Sequence, residues 1–553
     1  MLPRAKYTQF GIVMLPAICI FVYLYQSAVV YPVYDEYQSL VHQMAAGFYS
    51  DDAVMDQYFL GYVGYSYILT WLYRHLNTIS WMAVLELGSQ LLITFYILYV
   101  YYELLKQFFN NFWFLTISMT ALLLSFMDAY AMISFSRPAL FMCGIAIYRI
   151  LFCEQVGKVK QVSYHILFLL GLLLRPEAAM GMILLMGGGY LIYKLDIRSF
   201  LSRMKWVILL MSLFLITVAL LIRYSGNFLF EMEPEVEYKF MQGYVKKLEP
   251  HTSPVDSIKY EVATNGFIFD PQVLTAQYLR SIQTHAQWSQ LFEKTEQATL
   301  YILKRIGFYT VYLSFFFLGV LLAFIKRKYR LLLRILLLSS FLFLIFISLK
   351  INSGIGERHI QPMLAMYVLM TLFYMKHELN KRELTNPAIW TPALLLLLFF
   401  SKGYMDNISG WAFHNRLTAE NAKLLREELE HQYQGRLIVF TLSTLKDFFP
   451  LKYQLFNHKN FKNRYMIFEF YNYSMVAPYD KYLKKVLHQS SYNANDVYTY
   501  LCKHHAIYLA SEKKTKLTQD YLRIMYNNPV RFEKEQIKFE KTTDVIASEL
   551  DCN

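Results

Sequence analysis

The side chains able to do chemistry in this chain gather beside its apolar runs. The first group is Asp35-Glu36, in the stretch YPVYDEYQSLVHQMAAG. Pro32 ends an apolar run, and an amphipathic helix is predicted after it. On that helix Asp35, Ser39 and His42 share a face, while Glu36 points about 100° away on the same turn. One carboxylate can then face a reacting hydroxyl as a general base while the other braces it or shares a divalent metal ion. The competing reading makes the pair an N-cap and first-turn carboxylate favoured by the helix dipole.

Further charged groups follow at the ends of later apolar runs. Asp51, Asp52 and Asp56 continue the first loop, and Asp128 and Arg137 bracket DAYAMISFSRPAL. Arg175-Pro176-Glu177 ends one apolar run just before another, and Glu357-Arg358-His359 opens a third with Pro362 a turn later. Arg74, Lys304 and Arg305 are read as interfacial anchors whose stems snorkel. Arg175 is read otherwise, because apolar residues flank it on both sides and a charge at membrane depth is by default functional. Glu86, inside an apolar run, is either a structural polar contact or a cavity residue. Cations at the lip of a membrane cavity suit a lipid with a phosphate head, and carboxylates opposite them suit proton removal from a hydroxyl or a divalent metal.

The elements that must carry these residues are membrane helices. Of 553 residues 56% are hydrophobic and only 17% charged, against about 25% charged in a soluble domain. That excludes a soluble enzyme and a disordered chain, and five cysteines are too few for a disulfide scaffold. The 46 tyrosines and 43 phenylalanines suit extensive membrane–water interface. The net charge of +13 is read as positive-inside bias with affinity for anionic lipid, not as a nucleic-acid surface. GxxxxGK[ST], HExxH, CxxC and GxSxG are all absent, so no nucleotide cofactor is expected, and GGG at 187–189 is read as helix packing.

A span needs about 20 apolar residues. The run from Gly11 to about Val30 qualifies, and Arg4 and Lys6 before it put the N-terminus in the cytoplasm. Further runs lie near 79–105, 111–128, 139–153, 163–174, 178–193, 206–224, 300–325, 331–349, 359–376 and 388–404, giving about eleven spans. The runs at 139–153, 163–174 and 178–193 are short, as broken or tilted helices around a cavity would be. The Tyr-rich segment 59–76 is read as a surface helix. With it outside the bilayer, Lys106 and the basic stretches 154–161, 194–205, 326–330 and 376–383 share one face, the cytoplasmic one. Residues 31–78, 129–138, 175–177, 225–299, 350–358 and those after about 405 then share the other.

The expected organisation is an α-helical polytopic membrane module over 1–405, with outer loops 31–78 and 225–299, followed by a small soluble α/β domain over 406–553. In that domain helices are predicted at 420–434, 481–488, 494–505 and 516–528, and strands at RLIVFTL (436–442) and AIYLAS (506–511). Cys502 and Cys552 both fall in it and outside the membrane could pair.

At this point the chain resembles the membrane-embedded GT-C glycosyltransferases that use polyprenyl-phosphate sugars, among them the protein O-mannosyltransferases and the lipid A aminoarabinose transferases. VYDEYQSLVHQMAAG is similar to that family's DE-x-x-Y-x-x-x-A-x-x-M-x-x-G pattern, with Tyr37 and Ala45-Ala46 only roughly at the aromatic and small positions. DQYFLGYVGYSYIL (56–69) resembles its second juxtamembrane helix without the usual proline pair. RPEA (175–178) and ERHIQP (357–362) resemble late motifs of bacterial members, with Arg-His where Arg-Tyr is usual.

The resemblance implies a GT-C fold and sugar transfer from a polyprenyl-phosphate donor to a glycan, lipid or protein acceptor on the non-cytoplasmic face. Asp35 would be the general base or a metal ligand, and Glu36 its support. Arg137, Arg175 and Arg358, with His359, would neutralise the departing lipid phosphate, and His42, Asp56, Asp128, Glu177 and Glu357 would support the site. Membrane lipids are the other expected partners, and nucleic acid is not one. The expected location is a bacterial inner membrane, since no endoplasmic-reticulum retention signal ends the chain. Two rivals stand. An O-antigen-type polymerase or ligase would use the middle loop, where His251, Arg280 and His285 lie. A lipid-linked oligosaccharide flippase would show charges along helix interiors and two related halves, neither of which the sequence has.

Overall fold

The computed structural model describes residues 4–27, 31–32, 71–72, 75–76, 81–108, 112–126, 132–133, 136–153, 157–225, 252–265, 270, 272–273, 275–282, 288–353, 357–379, scattered positions in 391–410, 431, 436–440, 465–467, 487–528, 530–534 and 545–551. Its helices, in chain order, are α1 (Arg4–Ser27), α2 (Trp81–Phe108), α3 (Phe112–Leu124), α4 (Ser136–Phe152), α5 (Lys158–Leu174), α6 (Pro176–Lys194), α7 (Ile197–Ser225), α8 (Pro254–Asn265), α9 (Ala276–Ser281), α10 (Trp288–Phe308), α11 (Thr310–Ile325), α12 (Tyr329–Ser353) and α13 (Glu357–Glu378). The chain forms two compact units. One comprises Met1–Tyr31, Leu85–Thr217 and Trp288–Asn415, and the other Pro32–Val84, Val218–Gln287 and Arg416–Asn553.

In the first unit α4 is buried along almost its whole length, and α13 is buried from Ile360 to Met375. These two helices, with α6, make the centre. Glycines let them approach closely, as small residues do between membrane helices. A Cβ on Gly144 of α4 would meet Met366 of α13 at 2.8 Å, and one on Gly188 of α6 would lie 2.2 Å from the Phe341 ring of α12. GGG at 187–189 is thus helix packing, as its apolar setting implies.

The contacts fix the helix directions. Gly144 packs on Met366 and Met182, while Phe152, further along α4, meets Phe373 and Tyr190 at centroid distances of 5.0 and 5.6 Å. Gly181 packs on Met363, and Tyr193 stacks on Tyr374 at 5.5 Å. The helices α4, α6 and α13 therefore run parallel, and their N-termini share one end of the bundle. α5 runs back along α4, with Gly171 against Ala139 and Cys143. α12 runs back along α13, with Ser339 hydrogen-bonded to Tyr367 at 2.8 Å and Arg334 paired with Glu378.

The opposite end collects the basic residues. Lys106 donates to Gln9 at 2.5 Å, Arg149 pairs with Glu103 at 2.5 Å, and Arg203 donates to the Leu151 carbonyl at 3.1 Å. Lys194, Arg334 and Lys376 lie in the turns at this same end.

Among the described residues, Ile197–Thr217 and Tyr329–Ile351 are each long and apolar enough to cross a bilayer. Residues 300–325, expected as one span, are two helices. Phe292–Ile306 and Thr310–Ile325 meet at 91°, with Gly307 in the break. Only α11 is apolar throughout. α10 carries Glu293, Lys294, Glu296, Lys304 and Arg305, and its apolar stripe reads as the start of a span only because it abuts α11 in sequence. Of the predicted surface helix at 59–76, Trp71, Leu72 and His75 are helical, Leu76 is exposed and donates its N–H to the Leu72 carbonyl at 2.7 Å, and the other residues lie outside those described.

The second unit holds a mixed sheet of five strands: β1 (Ile438–Phe440), β2 (Tyr465–Ile467), β3 (Ile507–Ser511), β4 (Arg531–Lys534) and β5 (Val545–Asp551), in the order β2-β1-β3-β5-β4. β1 runs parallel to β2 and β3, with Val439 opposite Met466 and Tyr508. β5 is antiparallel to β3 and β4, with Leu509 opposite Ala547 and Glu533 opposite Glu549. Helices α14 (Ala494–Lys503) and α15 (Glu512–Tyr526) flank β3 in sequence. Asn493 and Asp496 form a capping box on α14, and Ser511 caps α15. The strands at β1 and β3 and both helices were expected; β2, β4 and β5 were not. The predicted helices at 420–434 and 481–488 fall almost wholly outside the described residues.

α8 packs on α15 within this unit. Asp270 is wholly buried there and accepts hydrogen bonds from Tyr521 Oη at 2.8 Å and from Tyr526 Oη. Burial, and then the neighbouring Asp270 carboxylate, push the Tyr526 phenol well above its ordinary value. Cys502 is disulfide-bonded, whereas Cys19, Cys143 and Cys153 are free thiols.

Candidate functional site

The end of the first unit where α4, α6 and α13 begin holds Arg137, Arg175 and His359 and the helix position of Arg358. Arg137 is the second residue of α4 and has no solvent exposure. A guanidinium withdrawn that fully from water costs several kcal/mol unless hydrogen bonds or opposite charge compensate it. Arg175 stands between α5 and α6 in extended conformation, φ −161° and ψ 102°. Its N–H closes α5 by donating to the Gly171 carbonyl at 3.0 Å. Pro176 follows at the first turn of α6, where a missing N–H is no loss. The Arg175 side chain is half-buried, and its Nη1 donates to Ser136 Oγ in the first turn of α4. Ser136 and Arg137 are consecutive, so both arginines belong to one place.

Glu357 and Arg358 open α13, and Glu177 is the second residue of α6; of these three only the helix positions are described. His359 is half-buried, and Gln361, one turn in, is wholly buried. Gln361 Nε2 donates to the Ser125 carbonyl at 2.6 Å, and Tyr404 Oη donates to the same carbonyl at 3.2 Å. Ser125 Oγ donates to the Leu122 carbonyl at 2.7 Å and shares a 3.0 Å hydrogen bond with Tyr312 Oη. This buried network holds the start of α13 to the end of α3 and to α11. The next turn of α4 joins it, since Phe141 meets Phe126 at 5.3 Å.

Such an end is electrostatically suited to an anion. The N-termini of α4, α6 and α13 bring the positive ends of their dipoles, and Arg137, Arg175 and the helix position of Arg358 stand at the same turns. Arginine adds permanent charge and a planar fork that matches phosphate oxygens. Ser136, Gln361 and Ser125 were not nominated from sequence. Ser136 adjoins Arg137 and Gln361 lies inside ERHIQP, but nothing local gives away their partners.

Asp35, Glu36, His42, Asp56 and Asp128 lie outside the described residues, and Glu86 is described only as a position in α2. His251 and His285 of the middle loop are outside them too, while Arg280 is exposed in the last turn of α9. No three His, Cys, Asp or Glu side chains gather to hold a metal ion among the described residues.

No family model matches the chain, and no curated protein matches it in sequence. Among solved structures it is similar to ArnT from Cupriavidus metallidurans in the apo state, a lipid A aminoarabinose transferase of the GT-C type. The TM-score is 0.50 over 96% of this chain and 97% of that one, at 10% sequence identity. At that identity the likeness is one of fold, and the fold is the GT-C membrane fold.

Proposed function

We propose, on the premise of a GT-C fold, that this protein is an integral-membrane glycosyltransferase that takes its sugar from a polyprenyl-phosphate donor. The observation that carries the reading is the shared placement of Arg137, Arg175 and the Glu357-Arg358-His359 turn at the end of the bundle opposite the basic loops. By the positive-inside rule the basic end is cytoplasmic, which puts the arginines on the outer side. The disulfide at Cys502 supports the same sidedness for the second unit, since disulfides persist in oxidising compartments. Cys552 is the partner we assign to it. A bacterial inner membrane is the setting this reading favours.

In the proposed reaction the acceptor hydroxyl oxygen attacks the anomeric carbon of the donor sugar. The bond from that carbon to the phosphate oxygen breaks, and the electron pair leaves with the polyprenyl phosphate. Asp35 receives the acceptor proton, with Glu36 holding it in place. The charge that grows on the leaving phosphate is met by Arg137, Arg175 and Arg358, with His359 donating beside them. One well-placed donor in a site sheltered from water is worth about 2.7–4 kcal/mol at the transition state. A divalent cation on Asp35 would polarise the acceptor oxygen. The acceptor is a glycan, a lipid or a protein presenting a hydroxyl on the outer face.

The test is purified protein with a panel of polyprenyl-phosphate sugars, assayed for release of the lipid phosphate, with and without EDTA. Release with one donor and an added acceptor is the expected result. Silence across the panel in folded protein would remove the assignment.

A further inference from the structure

The helix that opens on Glu357-Arg358-His359 has a proline one turn in. Pro362 lies inside α13 and carries no N–H. In an unbroken helix that N–H would close on the carbonyl of Arg358, four residues back. The bond is missing, and an interior proline ring also crowds the carbonyl it faces. The turn that carries Arg358 and His359 is therefore joined to α13 less firmly than the turns after it, which are buried without interruption from Met363 to Met375.

The residue before the proline supplies a tether of another kind. Gln361 is wholly buried beside the buried Ile360 and Met363, and its Nε2 donates to the Ser125 carbonyl at 2.6 Å. Ser125 follows the end of α3, where a helix leaves its last carbonyls without internal partners. Capping therefore accounts for a donor at this carbonyl, and Tyr404 Oη at 3.2 Å is one. It does not account for a second donor crossing from α13. A buried amide costs free energy unless it is hydrogen-bonded, and an apolar side chain would pack there without that cost. The anchor itself is firm, since Ser125 Oγ donates to the Leu122 carbonyl and shares a hydrogen bond with Tyr312 Oη at 3.0 Å.

We propose that Gln361 is a positioning residue, whose hydrogen bond to Ser125 replaces the one that Pro362 removes and fixes the first turn of α13, with Arg358 and His359, at this end of the bundle. The consequence for the reaction rests on the transferase reading. A turn that swings about Pro362 is in place only part of the time, and apparent affinity for the donor falls by that fraction. Saturating donor pulls the turn back, so kcat holds while KM rises.

The experiment uses the purified full chain and amide hydrogen exchange in the absence of donor. Gln361→Met keeps length and bulk but has no side-chain N–H to give. It should speed exchange about fivefold at the amides of Met363 and Leu364, as loss of one buried hydrogen bond does, because their helical acceptors are the first-turn carbonyls of His359 and Ile360. Exchange from Val368 to Tyr374 should stay as it was. Pro362→Ala restores the missing backbone donor. By itself it should slow exchange at Met363 and Leu364, and added to Gln361→Met it should bring exchange back toward the native rate. In the lipid-phosphate release assay, Gln361→Met should raise donor KM by a similar factor with kcat little changed, and the double variant should lower it again. Native exchange in Gln361→Met, an equal rise along all of α13, no slowing in Pro362→Ala, or a fall in kcat at unchanged donor KM would each overturn the proposal. The exchange measurements need no donor, so a chain that releases no lipid phosphate sinks the transferase reading alone.

Discussion

Arg175 Nη1 donates to Ser136 Oγ, so the turn between α5 and α6 is fastened to the first turn of α4 beside the buried Arg137. Two cations from separate apolar runs are thereby held together by one neutral hydroxyl. If they grip a departing phosphate, replacing Arg175 by Ala should cost about 2.7–4 kcal/mol of transition-state stabilisation, read as a fall of about a hundredfold or more in lipid-phosphate release. Lysine should not restore it, since a point charge lacks the fork. Ser136→Ala should lower release by a smaller factor, because it loosens Arg175 without removing the charge. An Arg175→Ala protein with normal turnover and normal donor KM would take Arg175 out of the mechanism.

The close approach of α6 and α12 makes a stability prediction independent of function. A methyl on Gly188 would enter the Phe341 ring, 2.2 Å from its nearest atom, while one on Gly187 meets Phe200 at 3.1 Å. Gly188→Ala should therefore lower the melting temperature clearly, as overpacking by about 1–3 kcal/mol does, and Gly187→Ala should lower it less. The reverse order would mean that Phe341 swings aside freely.

In the second unit Asp270 and Tyr526 give a pH dependence with a definite sign. The Tyr526 phenol has its proton affinity raised by burial and by the Asp270 carboxylate. Its contribution to stability is fully present below the unfolded tyrosine value of about 10 and is lost as pH rises above it. Melting at pH 8 and pH 10.5 should show a larger alkaline loss in the native protein than in Tyr526→Phe. Identical losses would mean that this phenol is not coupled to folding.

The residues also show what a sequence can and cannot reveal. Arg175 was legible as a partly buried cation because apolar runs flank it on both sides. Its partner was not legible, since Ser136 is 39 residues away, and Gln361 and Ser125 are 236 apart. Hydrogen bonds across such separations leave no local pattern. The bend between α10 and α11 was hidden for another reason: the apolar stripe of amphipathic α10 continues into the wholly apolar α11, and an averaging window merges them. In the second unit, β1 and β3 announced themselves as apolar runs. The edge strand RFEK and its neighbour VIASELD carry charges and are ordered by pairing that only the fold supplies.

The disulfide offers a check on which side of the membrane the second unit occupies. Thiol labelling of denatured, unreduced protein should find three thiols, Cys19, Cys143 and Cys153, and reduction should expose all five cysteines of the chain. Cys502→Ser should then free one new thiol, assigned to Cys552, and lower stability by about 2–5 kcal/mol. Five thiols without reduction, in protein purified from its native membrane, would place this unit in a reducing compartment and remove the support it lends to an outward-facing site. Asp35→Asn is the companion experiment. A carboxamide cannot take the acceptor proton, so lipid-phosphate release should vanish while the protein remains folded and in the membrane fraction. Undiminished release would shift the base to another residue and leave the arginine end of the bundle as a lipid-phosphate site without this chemistry.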